Sequence, residues 1–255
     1  MSIHVWKQYS LGTYYDATIS NLQTFVSLKD YLADQDHFKK DDNTKTINYK
    51  TELLCPSKLN DRIPVLLLFS NPHPKSIMAG MFLSPETTVN RFWYSMKCAE
   101  MFILATTPEI RKKDFPEPIR QIFLNLEYDG PFAFYFYTFF SFPSGKPEDL
   151  KEIFGSFFHE HIVPESRVNL RNFVEEKNIR HITCFGKQAF QYISNHCEDD
   201  LAGYTKTVKE KGFIYSKFIC KKDVNLYLTC PTGQGGCKAE DRIKSLKCIK
   251  DEILK

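Results

Sequence analysis

The sequence predicts an α/β protein, a three-layer α/β/α sandwich around a mostly parallel sheet. Three observations predict it. The apolar run Ile63-Pro64-Val65-Leu66-Leu67-Leu68-Phe69 ends in Ser70-Asn71-Pro72, and strands covered by helices on both faces read this way. Strand-like and helix-like segments then alternate to the end of the chain, as in parallel strands joined by crossover helices. The 255 residues are 42% hydrophobic, with 22 Phe and 13 Tyr, enough to bury a sizeable core.

Taken in order, residues 1–60 read as an accessory region and residues 61–255 as the main domain. Asn21 to Leu32 has apolar residues near helical spacing, and the charged stretch His37 to Lys50 reads as an exposed loop or link. After the strand at 63–69 a long loop leads to a helix predicted from Asn90 to Thr106. Pro131 to Phe140 is a very aromatic strand candidate, and Ser144 to Glu152 reads as a helix start with Pro147 in its first turn. A helix over Val168 to Lys177, a strand over Arg180 to Phe185 and a helix over Lys187 to Asn195 follow. Strands over Gly212 to Cys220 and Asn225 to Cys230 and a helix over Ala239 to Leu254 complete the reading. In such sheets ligands sit at the carboxyl ends of strands. Chemistry is therefore expected in the loops after Phe69, Tyr137 and Cys230.

Composition excludes several function classes. Met1 to Ser10 lacks the apolar run of a secretory leader, and no stretch approaches the roughly 20 apolar residues of a membrane span. The expectation is an intracellular protein, cytoplasmic or nuclear, with no membrane partner. The eight cysteines form no CxxC pair and no zinc-type cluster, and His159 and His161, two apart, would face different sides of a helix. Neither a metal nor a cofactor is expected, and the cysteines read as reduced core thiols. The absence of GxGxxG, of a P-loop and of paired catalytic carboxylates argues against a generic nucleotide-binding enzyme. A net charge of +3 neither requires nor forbids a polyanionic partner.

Several motifs occur in a telling order. Ser70-Asn71-Pro72 follows the first core strand, Gly80-Met81-Phe82 comes next, and Asn90-Arg91-Phe92-Trp93 opens a helix. Cys184-Phe185-Gly186-Lys187-Gln188-Ala189 marks a strand-to-helix junction, and Pro231-Thr232-Gly233 lies in a loop after the last strand. This order resembles the uracil-DNA glycosylase superfamily, closest to the mismatch-specific uracil and thymine glycosylases, over residues 62 to 254. The resemblance implies a monomeric, monofunctional base-excision glycosylase with DNA as partner. It departs from the family at His73, where many relatives have Gly, at Thr138, where many have Asn, and at Cys230, where relatives have His or Asn.

The chemistry of base excision assigns roles to these residues. Positive charge builds on the sugar while the base leaves with negative charge, so the enzyme must extrude the nucleotide, hold the base, place a water and stabilise the leaving group. Asn71 is the candidate for placing the water, although Asn-Pro is also an ordinary turn after a strand. Ser70, Pro72, His73, Phe82, Thr138 and Cys230 are the candidate base-binding set. Phe82 can stack on a base or be one more core phenylalanine, with Leu83 as an alternative at the same place. Thr138 has a hydroxyl that cannot mimic both groups of an amide. Lys187, with Gln188 beside it, can hold a phosphate or simply start a solvated helix. Pro231, Thr232, Gly233, Gln234 and Gly235 form the candidate DNA-wedging loop, with Gln234 as the wedge, or a glycine-rich turn with no ligand. The helix after that loop is expected to favour anions at its N-terminus. The same departures leave open a diverged binder that keeps the scaffold without catalysis.

Overall fold

The computed structural model describes residues 3–83, 91–104, 116–197, 199–232 and 236–255. In chain order its elements are β1 (His4–Ser10), α1 (Tyr15–Leu22), α2 (Lys29–Ala33), β2 (Phe38–Asp41), β3 (Thr46–Glu52), β4 (Ile63–Phe69), α3 (Pro74–Ala79), α4 (Arg91–Cys98) and α5 (Pro116–Asn125). They continue with β5 (Phe132–Thr138), α6 (Asp149–Phe154), α7 (Val163–Glu176), β6 (His181–Phe185), α8 (Lys187–Ile193), α9 (Tyr204–Lys211), β7 (Ile214–Ile219), β8 (Asp223–Thr229) and α10 (Ala239–Ile253).

The protein is α/β, built on a mostly parallel sheet ordered β5-β4-β6-β8-β7. β4 pairs in parallel with β5 and β6, β6 pairs in parallel with β8, and β7 closes one edge antiparallel to β8. Successive β4 side chains point to opposite faces, and both faces are buried. Leu66 and Leu68 join a cluster with residues of α6, α7 and α8, including Ile153, Leu170 and Phe190. Val65, Leu67 and Phe69 join a second cluster with Trp93 of α4, Phe123 of α5 and Ile249 of α10. Helices thus cover both faces, an arrangement compatible with three layers. Each fully buried leucine of β4 contributes about 1.5–3 kcal/mol, which is why the apolar run is continuous rather than alternating.

Three helical expectations change. The segment Asn21–Leu32 is not one helix. α1 ends at Leu22, and α2 starts at Lys29 after a short 3-10 turn, because Val26 faces solvent instead of continuing an apolar stripe. α4 stops at Cys98, where Glu100 adopts a left-handed φ of 52°. The stretch from Ser144 begins as turns pinned by hydrogen bonds, and α6 starts only at Asp149.

The largest correction concerns the stretch read as an exposed link. Residues 38–52 form a hairpin, β2 and β3, which with β1 makes a three-stranded antiparallel sheet ordered β1-β3-β2. The charged Asp41–Thr44 segment is its turn, with Asp41 Oδ1 accepting from the backbone N–H of Asn43 and Thr44. Phe38, Ile47 and Tyr49 are buried in the same cluster as Leu66 and Leu68. The N-terminal region therefore shares its core with the main sheet. Backbone bonds between Leu54 and Phe136 tie the two together.

Candidate functional site

The sheet order sets where a site can form. β4 is an inner strand with β5 on one side of it and β6 on the other, so the chain reverses direction across the sheet at β4. The crevice at such a switch point opens at the carboxyl ends of the strands. There the structure has a cavity of about 610 Å³, within the usual span of ligand pockets. Ser70, Asn71 and His73 reach it from the end of β4, Thr138 from the end of β5, Gly186 and Lys187 from the end of β6, and Pro231 and Thr232 from the end of β8.

The loop after β4 is rigid for reasons visible in its residues. Pro72 and Pro74 restrict the backbone on either side of His73. Pro74 sits in the first turn of α3, and the His73 ring caps the helix, Nδ1 accepting from the Lys75 backbone N–H at 3.3 Å. The backbone N–H groups of Phe139 and Phe140 donate to the carbonyls of Phe69 and Ser70, each at 2.8 Å, so the β4–β5 ladder runs on past both strand ends.

Asn71 is the best-defined polar group of the cavity. Its Nδ2 donates to the carbonyl of Ser144 at 2.9 Å, to Ser144 Oγ at 2.9 Å and to the carbonyl of Pro72 at 3.1 Å. Two of these acceptors are carbonyls, so the amide can face only one way: a flipped amide would set oxygen against oxygen. Ser144 is held in turn, its N–H donating to Pro72 O and its hydroxyl to Lys146 O. The Asn71 carbonyl oxygen bonds to no described residue. The arrangement presents one fixed acceptor to a cavity occupant while its nitrogen is fully used.

The other walls are mixed. Phe82 is buried against Phe69 and Phe136, with ring centroids 5.8 and 5.6 Å apart, so it is a core ring that also lines the cavity. Leu83 lines it too and holds a left-handed φ of 51°, an uncommon backbone state for a side-chain-bearing residue. Gly186 precedes α8 at φ 111°, a conformation that favours glycine, and this turn brings Lys187 to the rim.

Two sequence-predicted residues do not reach the cavity. Pro72 is buried and contributes its carbonyl to Asn71 and Ser144 instead of a ring to a ligand. Cys230 is fully buried in a small separate cluster with Val208 and Cys237. Burial pushes its thiol up, and a hydrogen bond with Cys237 adds to the effect. The apolar environment of an inward-facing β8 end takes Cys230 away from the cavity. Gly233, Gln234, Gly235 and Asn90 lie outside the described residues. The N-terminus of α10 is already capped by its own chain: the Lys238 N–H donates to Asp241 Oδ2 at 2.8 Å, so an anionic group occupies that helix end.

Compared with family models and with curated proteins, the chain has no match to either. The site is therefore read from its own geometry. Among the described residues no group of three or more His, Cys, Asp or Glu is placed to hold a metal, and no helix is long and apolar enough to cross a membrane.

Two residues that sequence reasoning passed over shape this cavity. Glu52 closes β3 in the N-terminal sheet and lines the cavity wall at 3% exposure. Burial alone holds its carboxyl well above the usual carboxylate range. The only sequence signal was a lone acidic residue ahead of Leu53-Leu54. Arg242 of α10 is fully buried, and its Nε and Nη2 donate to the Pro231 carbonyl at 3.0 and 2.8 Å. It fixes the entry of the last loop into the cavity.

Proposed function

We propose that the protein is a monofunctional DNA base-excision glycosylase with a uracil-DNA glycosylase-like fold, acting as a monomer on DNA. It extrudes uracil or a related damaged base into the cavity and hydrolyses its N-glycosidic bond. One observation carries this reading. The loops after β4, β5 and β8, separated by up to about 160 residues, line a single cavity roomy enough for an extruded nucleotide, with a pinned asparagine among them.

In the reaction, the Asn71 carbonyl orients a water toward the anomeric carbon. The bond between that carbon and the base nitrogen breaks with its electron pair leaving on the base. The water oxygen then bonds to the sugar carbon and loses a proton, which the departing base anion takes up through solvent. Asparagine is a poor base, so the rate depends on how well the departing base is stabilised. That favours bases that leave readily, such as uracil. Phe82 and Phe69 supply the apolar side of the slot, and Lys187 with Lys146 supplies positive charge at the rim suited to phosphate contacts.

The test is alkaline cleavage of a uracil-containing oligonucleotide after incubation with protein. Abasic product from the wild type, reduced at least about a hundredfold in Asn71→Ala, supports the reading. A second reading, DNA binding without catalysis, is favoured by the position of Cys230, which leaves no side-chain donor from that site toward a departing base. It predicts salt-sensitive duplex binding with no abasic product.

A further inference from the structure

The packing of the chain does not account for Glu52. Neither of its carboxyl oxygens bonds to a described residue, and Oε2 is sealed from solvent. A buried carboxyl without a partner destabilises a fold, and nothing in β3 compensates it. Its cross-strand neighbour on β1 is His4, whose imidazole is itself shifted below the ordinary histidine range, first by burial. Glu52 and Thr138 line both the main cavity and a smaller chamber of about 80 Å³. Gln188 on α8 lines the main cavity too, and its Oε1 is also buried without a hydrogen-bond partner. Two unpartnered polar groups, from elements far apart in sequence, thus belong to one wall system.

We infer that the Glu52 carboxyl reads the polar edge of the base held in the cavity, a lactam with an N–H beside a C=O, as on uracil. This inference rests on the glycosylase reading and names its recognition group. Burial disfavours the charged form and holds the carboxyl toward its protonated state. A protonated carboxyl offers one O–H donor and one C=O acceptor side by side, the complement of a lactam edge. An ionised carboxylate would offer acceptors alone and repel the ring carbonyl. Glu52 thereby supplies the donor–acceptor pair that the single hydroxyl of Thr138 lacks, and it comes from the N-terminal sheet.

The test titrates full-length protein with free uracil, with 1-methyluracil, which keeps only the N–H that stays free in DNA, and with 1,3-dimethyluracil, which lacks both, and follows binding by ligand-observed NMR. Wild type, Glu52→Gln and Glu52→Leu are compared, and each is assayed for excision from a uracil oligonucleotide. Wild type should prefer 1-methyluracil over 1,3-dimethyluracil at least about tenfold. Glu52→Gln, whose amide keeps a donor and an acceptor, should stay within about threefold of wild type for uracil. Glu52→Leu should lose at least about tenfold while melting at a higher temperature, since an unpartnered polar group is gone. Wild-type uracil affinity in a folded Glu52→Leu, equal binding of both methylated ligands by wild type, or no uracil binding by wild type would each overturn the inference. Excision that is indifferent to Glu52 would reject it and leave the glycosylase reading standing. Glu52-dependent uracil binding without excision would do the reverse.

Discussion

At position 71 three hydrogen bonds fix a single amide orientation, and replacing the residue tests that orientation without assuming a substrate. Asn71→Asp sets a carboxylate oxygen against the carbonyls of Pro72 and Ser144. It should destabilise the fold by about 1–3 kcal/mol at neutral pH, measured by urea denaturation, and recover part of that on acidification as the carboxyl gains a donating proton. Glu52 makes a separate pH prediction. Its folded-state proton affinity is raised above the ordinary value of 4.5. Below that value both states are protonated; above it the unfolded chain ionises while the folded one does not, so stability falls as pH rises. The stability difference between Glu52→Gln and wild type should therefore move in favour of the variant as pH is raised from 4 toward 7. His4, lowered by burial, acts in the opposite sense, weakening the fold as pH falls below its ordinary 6.5, and cancels in that comparison. Asn71 was legible in the sequence because it follows a strand that announces itself. Glu52 was not, because its significance arises only when a distant hairpin folds over the strand ends.

Among elements, the strands of the main sheet were legible and the N-terminal hairpin was not. β4, β5, β6 and β8 are buried on both faces and show as apolar runs. β2 and β3 alternate, and the charges of Lys39, Lys40, Asp41 and Asp42 mask the buried Phe38, Ile47 and Tyr49. Short α3 was hidden in a proline-rich loop, where six residues are too few to show a period. The last loop depends on α10 through Arg242. Arg242→Met removes both donors to the Pro231 carbonyl and should cost about 1–3 kcal/mol in chemical denaturation for that stranded acceptor. Excision should fall more than stability alone explains, because the loop entry is no longer fixed.

On the scale of the whole molecule, the boundary near residue 60 does not separate two cores. Tyr9, Tyr15 and Tyr49 pack in one cluster with Leu66, Tyr135 and Phe154, and the hydroxyls of Tyr9 and Tyr49 both meet Ser141 Oγ, at 3.2 and 2.7 Å. Full-length protein should unfold in one transition, with circular dichroism and tryptophan fluorescence coincident, whereas a chain lacking residues 1–52 should lose cooperative unfolding. The alternating element order made the α/β class legible. Closure of the site by the N-terminal sheet depends on long-range packing that no local pattern encodes.

The most direct measurement places 2-aminopurine beside a uracil in a short duplex and follows its fluorescence as Asn71→Ala protein is added at low salt. Entry of the uracil into the cavity unstacks its neighbour, so a saturable rise is expected, lost when free uracil competes. Saturating binding with unchanged fluorescence would mean that no base leaves the duplex, and would contradict the glycosylase reading.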